Sequence, residues 1–356
     1  MHSDTTAHRI LITGASGFLG RQLVCAIAKK HPSWQISGLD RVSPPSDVED
    51  ELEHFFLADV ANIHQLEAAY LNGPPHLVIH TAAIVPARGA RYSTKASDWE
   101  HIKAVNYGGT INVFSTAMRA GCRRFIYTSS VTAVMDDLEH DYHNAAENTV
   151  WPAQSLLHYG RSKLLTETYI RSLNPAEVKT CILRPCTIFG PEDTAVMSVL
   201  HDLIAKGETS FVVGDGNNLS DWMYIDNAVH AHVLTAENML SSATAAGHTI
   251  YITNHEPVYF WDFLAFVWAQ FGHQAPFRVF IPAYLAFLVA YMLELVTMLT
   301  QKPATLTSGS VKDGVRTFFV NNDKAIDILG YRPVISLAEG VRRACEGYKE
   351  HLKARR

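Results

Sequence analysis

The chain has 356 residues, 47% hydrophobic and 18% charged, which is enough apolar side chain for a large core in one domain or two. A formal net charge of −5, with no block of like charges, excludes a nucleic-acid surface and a charged tail. The five cysteines, Cys25, Cys122, Cys181, Cys186 and Cys345, are scattered and lack a Cys-x-x-Cys pair, which reads as a reduced intracellular protein.

The start, MHSDTTAHRILITG, has no basic region followed by an apolar run, so no secretory signal is expected. Residues 9–13, RILIT, predict a buried strand, and GASGFLG follows directly before a helix, RQLVCAIAKK. Gly14, Gly17 and Gly20 fall between strand and helix. Glycines there permit a tight turn, close approach of backbone to a pyrophosphate, and close helix–strand packing. The free N–H groups of the helix start then meet the phosphates.

WQISGLD (34–40) predicts a second strand ending at Asp40, twenty residues after Gly20. A carboxylate at that position accepts hydrogen bonds from the adenosine ribose and repels a 2′-phosphate, which favours NAD. Arg41 follows and leaves NADP open, because it could pair with that phosphate. FFLADV (55–60) predicts a third strand, with Asp59 placed either to meet the adenine amino group or simply to end the strand. HLVIHTAA (76–83) predicts a fourth strand, NYGGTINVFSTAMRA (106–120) a helix, and RRFIYTSS (123–130) a fifth strand.

HYGRSKLLTE (158–167) predicts a helix, with Tyr159 and Lys163 on one face. A phenol titrates near pH 10. An adjacent ammonium and a positive nicotinamide ring would favour its phenolate, so Tyr159 could take a proton from a substrate hydroxyl. Lys163 could also hold the nicotinamide ribose. Ser130, with Ser129 second, is expected to orient the substrate oxygen, since YTSS ends a strand at the carboxyl edge where ligands bind.

VKTCILRP (178–185) predicts a sixth strand. Strands alternating with helices imply an α/β fold, a doubly wound parallel sheet over residues 1–190. A smaller C-terminal lobe over 191–356 is expected to hold the substrate, with short strands at SFVV (210–213) and HTIYIT (248–253) and a helix at 227–238. His230 and His232 lie two apart in that helix and cannot chelate together, and no metal site is expected.

Taken together, TGASGFLG, HTAA, NYGGT, YTSS, YGRSK and LRPCTIFGP resemble the extended short-chain dehydrogenase/reductases, whose large domain is of the Rossmann type. Within them the chain resembles the 3β-hydroxysteroid dehydrogenase branch, including sterol 4α-carboxylate 3-dehydrogenases, through VGDGNNLSDWMYIDNAVHAHVLTAE, VNNDKAIDILGYRP and the apolar stretch before KPATLTSGSV. The resemblance implies a catalytic set of Ser130, Tyr159 and Lys163, with Asn106 in the supporting proton relay. It implies NAD, with NADP as the alternative, bound by Gly14, Ser16, Gly17, Phe18, Leu19 and Gly20 and by Asp40, Arg41, Asp59 and Val60. Ala82, Ala83, Ser129 and Pro185 complete that cofactor set together with Tyr159 and Lys163. DWMYIDN departs from the branch, which has a more apolar lead into its tyrosine.

The resemblance further implies oxidation of a 3β-hydroxyl on a steroid, sterol or terpenoid, or reduction of the matching ketone. A neighbouring carboxylate would then leave as carbon dioxide, and a nearby double bond could shift. Two other readings share the motifs: a nucleotide-sugar epimerase or dehydratase, and a dinucleotide-binding regulator without turnover. Residues 280–299, FIPAYLAFLVAYMLELVTML, carry Glu294 as their only charge and argue for a hydrophobic substrate. They are long enough to cross a bilayer, and Pro282 suits a helix start. Because TFFVNNDKAIDILGY must return to the side of the sheet, insertion into one leaflet of an internal membrane, such as the cytoplasmic face of the endoplasmic reticulum, is the first expectation. Burial over the pocket is the second and a span the third. A homodimer is also expected.

Overall fold

The computed structural model describes residues 7–71, 73–136, 138–149, 155, 157–173, 175–193, 195–300 and 306–354. Seven strands form one sheet: β1 (Arg9–Thr13), β2 (Gln35–Asp40), β3 (His54–Leu57), β4 (Leu77–His80), β5 (Arg124–Thr128), β6 (Lys179–Pro185) and β7 (Thr249–Ile252). Their order is β7-β6-β5-β4-β1-β2-β3, and every pairing is parallel.

Such strands bury both faces, and the sequence pattern shows how. In β1, Ile10 and Ile12 join the core under helix α1 (Phe18–Lys30), while Leu11 points to the opposite core. Leu23, Val24 and Ile27 of α1 pack on the first face, joined by Ala228, Ala231 and Ala236 of helix α4 (Ile225–Leu240). Val113, Phe114 and Ala117 of helix α2 (Thr110–Ala120) cover the second face together with Ile170 of helix α3 (His158–Arg171). This is the doubly wound, Rossmann-type sheet expected from the strand–helix alternation. Chain order reverses between β1 and β4, so the carboxyl ends of these two strands open a crevice.

The division at residue 190 is crossed in both directions. Thr249–Ile252, assigned to the lobe from sequence, pairs with Ile182–Pro185 as the edge strand of the large sheet. Conversely, Tyr142–Ala145 leaves the first half to join Phe318–Val320 in a four-stranded sheet of the lobe. The predicted third strand is shorter than read. It ends at Leu57, where Asp59 accepts from the Ala61 N–H and turns the chain away.

Residues 279–300 and 306–315 form a cap over the lobe's end of the crevice. Strand Val279–Ile281 pairs with Phe211–Val213, helix α5 (Ala283–Thr300) follows Pro282, and helix α6 (Ser308–Val315) packs against α5. Ala286 and Ala290 of α5 are buried against Val311, while Tyr284, Leu288, Tyr291, Met292, Leu295 and Val296 are exposed by half or more. Glu294 turns inward and accepts from the Ser308 N–H at 2.7 Å and the Ser308 hydroxyl at 2.9 Å. Among the described residues, no helix is long and apolar enough to cross a membrane.

Candidate active site

The crevice is a cleft of about 1310 Å³. A single small-molecule pocket holds roughly 300–1,000 Å³, so this one has room for a cofactor and a substrate side by side.

One end is built by the β1–α1 turn. Gly14 has φ +75°, and a Cβ there would fall 2.7 Å from the Ala82 nitrogen. At Gly20 a Cβ would fall 2.0 Å from the Gly14 carbonyl oxygen. Helix α1 begins at Gly17 with no side-chain cap and no acidic residue in its first turn. Its free N–H groups therefore face the cleft, between Gly14, Gly17, Phe18, Leu19 and Gly20. The Asp40 carboxylate accepts from the Ser16 N–H at 3.1 Å and the Val42 N–H at 3.3 Å, which fixes it at the cleft's edge with lone pairs to spare. The Ser16 hydroxyl is turned back onto the Val42 carbonyl at 2.6 Å. Arg41, Asp59, Val60, Ala82 and Ala83 line the cleft around this turn, and Pro185 lines it from the end of β6. These features fit a dinucleotide: a cradle that any side chain would fill, a helix start for the phosphates, and a fixed carboxylate for the ribose.

At the centre, Tyr159 and Lys163 lie one turn apart on α3 and both line the cleft. The Ser130 hydroxyl, at the end of β5, hydrogen-bonds to the Tyr159 phenol, an interaction that favours the phenolate. Burial nevertheless pushes the Tyr159 hydroxyl well above its ordinary value, and the nearby Asp136 charge pushes the same way. In the protein by itself desolvation outweighs the Ser130 hydrogen bond, so the phenolate expected from the ammonium and the nicotinamide ring together depends on that ring as well. The Lys163 ammonium donates to the Thr128 carbonyl at 2.8 Å and sits 4.9 Å from the Tyr127 ring centre. Burial pulls it down to about 7, with Glu167 the one influence holding it up.

The two serines part company. Ser129 donates to Glu167 at 2.5 Å and is committed to a buried network. Glu167 also takes Arg184 at 2.8 and 2.6 Å, and Arg171. Ser130 instead meets the Tyr159 phenol and the Thr132 N–H on the wall of the cleft. Asn106 lies in a single π-turn, Ala104–Gly109, a wide turn of the kind found at functional sites. Its side chain accepts from the Ile84 N–H at 2.8 Å and donates to the Ile84 carbonyl at 3.1 Å and to Ser162 at 3.0 Å. Its own carbonyl accepts from Thr110 and Thr166. Asn106 thus clamps the loop after β4 to α3 beneath Tyr159 and Lys163.

His232 accepts from the Thr128 hydroxyl at 2.9 Å and donates to the Ala228 carbonyl at 2.7 Å, and His230 lies against Tyr331. Asp221, which begins the unusual DWMYIDN, is buried and accepts from Thr253 at 2.9 Å and the Val320 N–H at 2.8 Å, so it ties the lobe together. Trp222 beside it stacks on Phe263 with ring centres 4.1 Å apart and faces the cleft.

The far half of the cleft is walled by Trp222, Phe260, Trp261, Leu264, Trp268 and Phe318, with Leu293 from α5. Against that apolar wall stand Arg91, Tyr92, Asp313 and Arg316, which the sequence did not disclose. They fall in the 88–92 and 308–316 segments, which carry no recognisable spacing.

Residues 11–283 match the model of the 3-beta hydroxysteroid dehydrogenase/isomerase family. Over 353 residues the chain is 30% identical to sterol-4-alpha-carboxylate 3-dehydrogenase, decarboxylating, of Mus musculus, covering 98% of this chain and 92% of that one. The enzyme of the same description from Schizosaccharomyces pombe is 30% identical over 339 residues, 94% of this chain and 95% of that one. A 3beta-hydroxysteroid-dehydrogenase/decarboxylase of Arabidopsis thaliana is 38% identical over 263 residues, 70% of this chain and 58% of that one. Among solved structures, UDP-glucose 4-epimerase of Thermotoga maritima superposes with a TM-score of 0.68 at 21% identity, covering 97% of this chain and 99% of that one. UDP-glucose-4-epimerase of Stenotrophomonas maltophila gives 0.74 at 17%, covering 98% and 99%. At these identities the structural likeness shows the fold alone.

Proposed function

The chain belongs to the 3-beta hydroxysteroid dehydrogenase/isomerase family, and we propose that it oxidises the 3β-hydroxyl of a sterol or terpenoid that bears a carboxylate on the neighbouring carbon. The observation that carries this reading is the Ser130–Tyr159–Lys163 set at the junction of a dinucleotide cradle and an apolar wall. A sugar nucleotide needs polar partners along its whole length, and the wall of tryptophans and phenylalanines supplies few.

Bound NAD supplies the hydride acceptor and a positive ring beside the phenol. Ser130 donates to the substrate oxygen and fixes its lone pairs. Tyr159 takes the hydroxyl proton as the carbon is oxidised, and its high affinity for that proton makes it a strong base once deprotonated. Lys163 supports the phenolate as an ammonium, and burial, which brings it down to about 7, sets the pH above which that support is lost. The ketone formed lies β to the carboxylate. The carbon–carbon bond electrons can then flow into the carbonyl, which Tyr159 and Ser130 polarise by hydrogen bonding, and carbon dioxide leaves an enol that is protonated at carbon. Asp40 supports NAD over NADP, since its carboxylate meets the ribose edge and repels a 2′-phosphate.

The apolar outer face of α5 supports contact with a membrane surface. Its exposed tyrosines and aliphatic side chains, with Phe277 and Phe280 beside them, exceed what solitary surface residues account for. Glu294 is removed from that face by its bonds to Ser308. We place the enzyme on an internal membrane, such as the cytoplasmic face of the endoplasmic reticulum, drawing substrate from one leaflet through α5.

The test is direct. Purified enzyme with NAD and a 3β-hydroxy-4α-carboxysterol should form NADH together with the 4-decarboxylated 3-ketone, seen by mass spectrometry. Tyr159→Phe should lose at least about 10²-fold in kcat while NAD still binds. Turnover of UDP-sugars, with no NADH from any 3β-hydroxysterol, would replace this reading with the epimerase one.

A further inference from the structure

Four ionised side chains meet on the wall of the cleft beside Tyr159. Arg91 donates from Nη2 to Asp136 Oδ1 at 2.8 Å and from Nε to Asp313 Oδ2 at 3.1 Å. Arg316 donates from Nε to Asp313 Oδ1 at 3.0 Å and from Nη1 to the Met135 carbonyl, and Tyr92 donates to Asp313 at 2.7 Å. Asp136 lies against the residue that follows the catalytic phenol, since a Cβ on Gly160 would fall 2.8 Å from Asp136 Oδ2.

Stability does not account for such a cluster. Replacing buried ion pairs with well-packed apolar groups is often neutral or stabilising, and the rest of this wall is apolar. The four groups also differ in what they leave open. Asp136 and Arg316 are buried, and the Arg316 guanidinium is held by Asp313 and Met135. Arg91 keeps a 24% exposed side chain and lines the cleft, and its bonds to the two aspartates run through Nε and Nη2. Those two bonds fix the plane of the guanidinium on the wall of the cleft and leave Nη1 outside them. A fixed guanidinium is suited to a carboxylate.

On the reading of the reaction given above, we propose that Arg91 is a specificity residue that receives a carboxylate on the carbon adjacent to the reacting alcohol, with Asp136 and Asp313 as the groups that position it. The neutral sum of the four charges has a use here. An isolated arginine would hold the carboxylate too firmly, because the negative charge must leave the carboxyl carbon as carbon dioxide forms. A guanidinium already balanced by two aspartates supplies direction with little net field.

The experiment compares two substrates that differ only at carbon 4, a 4α-carboxylate and a 4α-methyl 3β-hydroxysterol, by NADH formation. In the wild type, kcat/KM should favour the carboxylate about 10–100-fold, the worth of a charge-assisted hydrogen bond. Arg91→Gln should bring that ratio close to one, and Arg91→Lys should fall between, keeping the charge but not the fork. Melting temperature and NAD affinity report whether each variant is folded. If Arg91→Gln does not fold, the wild type decides alone, with the methyl ester of the same acid as the neutral isostere. A wild-type ratio near one, or an Arg91→Gln ratio unchanged from wild type, overturns the assignment. A wild type that oxidises neither sterol overturns the reading of the reaction and this inference with it.

Discussion

Glu167→Gln changes one oxygen to an amide at the most heavily used carboxylate under the active site. Glu167 is fully buried and bonded by Ser129, by Arg184 twice and by Arg171. Arg184 is 3% exposed and, among the described residues, donates otherwise to the Tyr251 hydroxyl, so the amide leaves a buried guanidinium without its counter-charge. Breaking such a pair costs about 3–5 kcal/mol. At about 2 °C per kcal/mol for a chain of this size, the melting temperature should fall roughly 6–10 °C.

A second effect reaches Lys163. Burial already pulls this ammonium down to about 7, and the Glu167 charge is what resists. Without that charge the lysine loses its proton at lower pH. A cation is present below its pKa, so any activity that needs it should decline from a lower pH in Glu167→Gln than in the wild type. The assay is a pair of measurements, a thermal melt and kcat/KM against pH from 5.5 to 8.5. Ser129→Ala serves as the control: it removes one donor and leaves the charge, so it should cost about 1–3 kcal/mol and leave the pH profile in place. A Glu167→Gln protein that melts within about 2 °C of wild type and keeps its alkaline limb would refute the reasoning.

Asp40→Ala should narrow the preference for NAD over NADP at least tenfold in kcat/KM, because Arg41 stays while the repelling carboxylate goes; a wild type that already prefers NADP sinks this. Ser130→Ala should lower kcat at least tenfold through loss of the substrate-orienting hydroxyl, whereas Ser129→Ala should not; equal losses from both would mean the pocket-facing serine is misassigned. Stability should fall on acidification: burial holds His80 down at about 3 and His232 at about 4, so below the ordinary value of 6.5 the unfolded chain takes up protons that the native state refuses. The loss should begin near pH 6.5, approach roughly 3 kcal/mol per pH unit for the two protons, and show as a falling urea midpoint between pH 7 and 5; a flat midpoint over that range contradicts it.

The nucleotide half of this protein was readable because its constraints are local. Gly20 is dictated by the Gly14 carbonyl six residues away, Gly14 by its positive φ in the turn as well as by Ala82 beyond the neighbouring strand β4, and Asp40 by its place at a strand end. Tyr159 and Lys163 share a face by helical geometry alone. The lobe was harder because its contacts are distant in sequence. Tyr142–Ala145 reaches 176 residues along the chain to pair with Phe318–Val320, and no period in either segment announces that partner. The edge strand Thr249–Ile252 reads no differently from a lobe strand, since an edge strand and a short lobe strand carry the same few apolar residues. The phenol's burial is illegible for a related reason: a spacing reveals a neighbouring charge but not how much water the fold removes.

Residues 280–299 show how a pattern can be correct in composition and incomplete in geometry. The run of apolar side chains offers a membrane or a pocket as its partner, yet a helix has two sides. Ala286 and Ala290 give α5 a narrow inner face that lets it lie close on α6, and Leu293 reaches the cleft from the same side. The bulky residues are thereby left outward. The one charge, Glu294, is consumed by the start of α6, so it opposes neither role. The helix that closes the substrate half of the cleft is thus also the one that presents an apolar surface. A water-insoluble substrate leaving that surface would meet the cleft at its apolar end, with Tyr159 and Arg91 further along the wall.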